Sequence, residues 1–275
     1  MTTNTFSENA VHQIKDRVQA EPYEEQYSFS KILAIWALAS VPGGLLFWFG
    51  LPYLDRSTEI STGNLVLLVT AIPYIWHFLL AFMILKGERV RPDWNAIEDR
   101  LWLKTTTDPR TGRPNNTLWL WLIPVIAVFA LTSASPTLLS INDGWARILP
   151  VKEPAQYSLG GLFENPEALV GNWGFVLAFL LVSILTMSEE IIFRGILLPK
   201  MKGAFGRADW IANGILFAFY HLEQPWNWPG KILYTTLTLA LPARVLRSTW
   251  FSMIVHFSQA FYFLFLILGL VLILA

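Results

Sequence analysis

Charged residues are absent from the stretches 32–54, 60–85, 114–142, 168–188, 210–222, 232–243 and 248–275. Five of these reach the roughly 20 residues that a helix needs to cross a hydrocarbon core. The two short ones, 210–222 and 232–243, fall in the range of about 10–14 residues, where a buried or re-entrant helix competes with a full span. Backbone groups in lipid must find partners within their own segment, so the pattern predicts an all-α, polytopic transmembrane bundle. The expected count is about seven to eight helices around a membrane-embedded polar cavity.

Between the apolar runs, the loop after Lys86 offers Asp93 as a helix cap, followed by Trp94, Ile97, Leu101 and Trp102 at helical spacing. This predicts a short interfacial helix. Residues 105–117 are turn-forming throughout, and 133–172, with Pro136, Pro150, Pro154 and Gly160–Gly161, reads as a long external loop. Trp48, Trp119, Trp121, Trp173, Trp210 and Trp250 lie near span ends, where an aromatic belt accounts for them.

Composition agrees: 54% of the 275 residues are hydrophobic and 15% are charged, with zero net charge. Nothing attracts nucleic acid. The absence of cysteine excludes disulfides, thiolate catalysis and S-lipidation. Residues 1–31 form a polar N-terminal arm without the apolar centre of a signal peptide, and 32–275 form the helical domain. Lysines and arginines alternate between rich and poor loops, which places the N-terminus in the cytoplasm and the C-terminus outside. Lys231 and Arg194 are counted as loop charges in that scheme. The lack of a targeting extension points to a bacterial plasma membrane.

Ionisable groups at membrane depth cost about 2.5–3.5 kcal/mol each on insertion scales, so each needs a partner or a task. Glu189 and Glu190 close the 168–188 run, His221 ends 210–222, His256 lies within the last run and His77 within the second. Adjacent helical positions differ by about 100°, so the two carboxylates point apart. Glu190 can pair with Arg194 at i,i+4, which leaves Glu189 to face the interior. The blander reading is a solvated helix end with two satisfied core histidines. A carboxylate and two imidazoles on three apolar elements also suit water activation with oxyanion binding, or two His and one Glu binding a metal. His77 is read as structural and His12 as solvated.

The string Glu189-Glu190-Ile-Ile-Phe-Arg194-Gly195 resembles the EExxxR motif of the CPBP family of intramembrane proteases, which includes CAAX prenyl endopeptidases and bacteriocin-processing or immunity proteins. Phe217-Ala-Phe-Tyr-His221 is similar to its FxxxH motif, and 248–257 resembles the helix with its last histidine. The motif core covers about 181–260. The resemblance implies that Glu189 is the general base, His221 helps activate water, Glu190 and Arg194 hold the helix end, and His256 stabilises the oxyanion. The family often has Asn four residues after that last histidine; here Ala260 stands there, with Gln259 one position earlier. Whether zinc, held by Glu189, His221 and His256, takes part is open.

HExxH, GxSG and GxGD motifs are absent. The expected function is therefore endopeptidase action on a membrane-associated protein or peptide, of CAAX-prenylated type if the resemblance extends that far. The alternatives are an inactive immunity or scaffold protein of the same fold, and a proton-coupled transporter, which no internal repeat supports.

Overall fold

A computed structural model describes residues 25–133, 135–158 and 169–273. Most of the N-terminal arm and the Gly160–Gly161 turn thus lie outside the described residues. Five helices are long and apolar enough to cross a membrane: α1 (Phe29–Ser57), α2 (Thr62–Gly87), α4 (Asn116–Ser133), α6 (Trp173–Lys200) and α10 (Thr249–Leu272). They correspond to the five long uncharged runs. Among the described residues there is no strand beyond an isolated Thr107–Pro114 bridge.

The two short runs form α7 (Asp209–Tyr220) and a continuous stretch made of α8 (Trp228–Thr235), a π turn (Thr236–Ala240) and α9 (Leu241–Leu246). Asp209 is the first residue of α7, and its carboxylate takes Trp210 N at 2.8 Å and Arg244 Nε at 2.7 Å. Gly214 lets α7 approach this stretch: a Cβ there would lie 2.7 Å from Thr236 Cα.

α3 (Trp94–Arg100) begins where expected, with Asp93 accepting from Ala96 N at 2.9 Å. Arg100, Leu101 and Leu103 are buried, and Trp94 is exposed. The stretch 133–172, expected as a loop, contains α5 (Pro136–Ile148), started by proline at its first turn. Trp145 and Asn142 dock α5 on the turn after α7 and the start of α8: Trp145 Nε1 donates to Pro225 O, and Asn142 Oδ1 accepts from Gly230 N, both at 2.9 Å.

Prolines within the spans leave carbonyls without their usual donors. Pro42 deprives Leu38 O, and Trp76 Nε1 supplies the bond at 2.8 Å. His77, expected to be structural, donates from Nε2 to the neighbouring Ala39 O at 3.1 Å.

Candidate active site

The site begins with a change of winding. After Glu190, α6 widens into a π turn over Ile191–Leu197, a departure that often accompanies function. Side chains from other elements bond the carbonyls of this turn. Asn213 of α7 donates to Phe193 O at 2.7 Å, and Arg100 donates to Gly195 O at 3.0 Å and Ile196 O at 3.2 Å. A bidentate Glu88 and the Tyr27 hydroxyl hold Arg100 in turn. The next residues bind the start of α10: Thr249 Oγ1 donates to Leu101 O at 2.7 Å and Thr249 N to Trp102 O at 2.8 Å. Trp102 has φ +52° here, a left-handed conformation held by these contacts. One short segment thereby fixes the distance between the carboxylate helix and the His256 helix.

Glu189 and Glu190 are both buried, and the His256 ring reaches the two of them. Its Nδ1 lies 2.9 Å from Glu190 Oε1, and its Nε2 lies 3.7 Å from Glu189 Oε2. Arg194 pairs with Glu190 at 3.1 Å, as the i,i+4 spacing predicts, and lies over the Phe217 ring at 4.1 Å. Neither charge of this pair reaches water, so the pair is held by contact geometry and the cation–π stack.

His221 follows the last residue of α7 rather than lying within it. Its Nδ1 donates to Phe217 O at 3.0 Å. A carbonyl can only accept, so Nδ1 carries the proton and Nε2 keeps its lone pair. Phe217 joins the two histidines, meeting the His221 ring edge-on at 5.0 Å and the His256 ring at 5.8 Å. The helix end frees carbonyls, and indoles take them up: Trp36 bonds Leu216 O, Trp48 bonds Leu222 O and Trp228 bonds His221 O, at 2.8, 2.9 and 2.9 Å. Trp48, Trp119 and Trp250 also serve as structural donors, Trp119 bonding Thr105 Oγ1 and Trp250 bonding Leu103 O. Trp121 and Trp173 are exposed on the surface.

Other groups around Glu189 escaped the sequence reading. The Tyr74 and Tyr220 hydroxyls face its carboxylate. Lys231, counted there as a loop charge, is buried within α8 and lies within electrostatic reach of Glu189, His221 and Glu223. Its only sequence signal was a lone lysine between two uncharged runs. Arg194, likewise counted as a loop charge, is wholly buried. Ala260 lines a small apolar hollow with Phe179, Ser183, Phe257 and Leu264.

Glu189, His221 and His256 do not make a ligand set. Among the described residues no group of three or more His, Cys, Asp or Glu is arranged to hold a metal ion. The arrangement offers instead a carboxylate, a neutral imidazole with a free lone pair, and a second imidazole locked between two carboxylates.

The family model described as Type II CAAX prenyl endopeptidase Rce1-like matches residues 171–262. This range runs from the turn before α6 into α10 and contains every motif residue named above, in agreement with the resemblance to CPBP intramembrane proteases. Neither a curated protein nor a solved structure matches the chain.

Proposed function

We propose, taking this family match as the premise, that the chain is an intramembrane endopeptidase in which Glu189 draws the proton from the attacking water. The observation that carries the reading is the burial of Glu189 beside His256, with Glu190 and Arg194 neutralising one another one turn away. A carboxylate whose helical neighbour is paired, and which has no arginine of its own, is suited to take up a proton. His221 Nε2, its lone pair free, is suited to orient the same water. With Nδ1 donating to Glu190, a protonated His256 would have its Nε2–H to offer to the oxyanion.

The substrate class is a membrane-associated protein or peptide, of CAAX-prenylated type by the family's description. The alternation of lysine and arginine between loops supports a cytoplasmic N-terminus. The apolar surroundings of Ala260 favour one second reading, an inactive immunity or scaffold protein of the same fold.

Glu189→Gln separates the two. Loss of a general base costs about 10²–10⁴ in rate, and removing one buried charge leaves the fold intact. The expected variant is well expressed, correctly inserted and unable to cleave an internally quenched peptide ending in S-farnesylcysteine plus three residues. Full biological function in Glu189→Gln would move the assignment to the scaffold.

A further inference from the structure

Lys231 is 8% exposed, although an ammonium is rarely buried without a direct partner. Among the described residues it makes no direct ion pair or side-chain hydrogen bond. Its neighbours in the field are Glu223 and Glu189. The backbone that carries it is fixed on both sides: Trp228, three residues earlier, donates to His221 O at 2.9 Å, and Gly230 N donates to Asn142 at 2.9 Å. Positions three apart share a helix face, so Lys231 is presented on the face of α8 that meets the His221 turn. Glu189 thus meets this lysine through charge rather than through a direct contact.

We propose that Lys231 is a catalytic residue whose ammonium stabilises the oxyanion formed on the scissile carbonyl, an inference that rests on the peptidase reading above. The charge argument is specific. When Glu189 takes a proton from water, the water oxygen bonds to the carbonyl carbon and the carbonyl π pair becomes the oxyanion. Negative charge thus leaves Glu189 and appears on the substrate, with the local total unchanged. A cation that balances Glu189 at rest balances the oxyanion next, with little reorganisation. When the C–N bond breaks, the oxyanion pair re-forms the carbonyl, and Glu189 returns its proton to the leaving nitrogen. Glu223, on the other side of the ammonium, keeps it in place throughout. His256 Nε2 would be the second donor to the same oxygen.

The test uses the full chain in nanodiscs, with the farnesylated quenched peptide and its unprenylated counterpart as probes. Wild type and Glu189→Gln report on the peptidase reading; Lys231→Met and Lys231→Arg, against wild type, report on this inference. Removing one oxyanion donor costs about 10²–10³ in kcat. Lys231→Met is expected to show a loss of that order with unchanged KM and an unchanged or raised Tm. Lys231→Arg keeps the charge and is expected to recover part of kcat, which also covers the case in which Lys231→Met fails to fold. Wild-type kcat in Lys231→Met, a Lys231→Arg no more active than an inactive Lys231→Met, or a loss confined to KM or Tm overturns the role of Lys231 and leaves the peptidase reading standing. Cleavage of neither probe by wild type overturns both.

Discussion

Glu190 Oε1 receives His256 Nδ1 at 2.9 Å and Arg194 Nη1 at 3.1 Å, so one carboxylate oxygen serves two donors. Its other oxygen, and Arg194 Nε and Nη2, are buried with no side-chain or backbone partner. Glu190→Gln would keep the shape and remove the charge, leaving the guanidinium uncompensated. Breaking a buried pair from one side costs about 3–5 kcal/mol. The expected result is a clear fall in Tm together with lost cleavage, unlike Glu189→Gln, which should lose cleavage alone. Equal Tm values for the two variants would contradict the separate roles given to these neighbours.

The clamp at the foot of α6 should be sensitive to acid. Burial alone would raise the Glu88 carboxyl, but the hydrogen bonds and charge of Arg100 outweigh it and hold Glu88 below its ordinary 4.5. A lowered carboxyl adds stability above the ordinary value, and that stability is lost as pH falls through the lowered one. Thermal melts of wild type and Glu88→Gln should therefore differ at neutral pH and converge under acid conditions. A gap that stays constant with pH would dismiss the clamp as a source of stability.

Gly214→Ala tests how closely α7 must lie against the π turn of the following stretch. The added methyl meets Thr236 backbone at 2.7 Å, so a helix has to shift rather than a side chain. Overpacking of this kind costs about 1–3 kcal/mol. Because α7 delivers His221, kcat should fall with Tm, and a variant with wild-type values of both would show that the contact is unimportant.

The sequence revealed charges better than their surroundings. Glu189, Glu190, His221 and His256 were conspicuous because polar groups interrupt or end apolar runs, and the Glu190–Arg194 pair followed from helical spacing alone. Lys231 was hidden by the same logic, since a lone lysine between two uncharged runs looks like a loop. Trp48, Trp119 and Trp250 were hidden for another reason. Their indoles serve carbonyls or hydroxyls elsewhere, and no periodicity along one segment shows a bond to another. α5 was lost among prolines, one of which starts the helix. Arg100 was counted only for topology, because the carbonyls it bonds become available once the winding of α6 is known.

That wide turn at Ile191–Leu197 also bears on ancestry. A π turn is what a single inserted residue leaves in an α-helix that absorbs it without breaking, so its position marks where this helix could change length over generations. Loss of one residue there would restore ordinary winding and rotate everything beyond it by about 100°. Glu189 and Glu190 lie upstream and would keep their bearings, whereas Gly195 and Ile196 would turn away from Arg100. Descendants of such a deletion would inherit intact chemistry on an unmoored helix, and they should carry a matching change in the segment around Arg100.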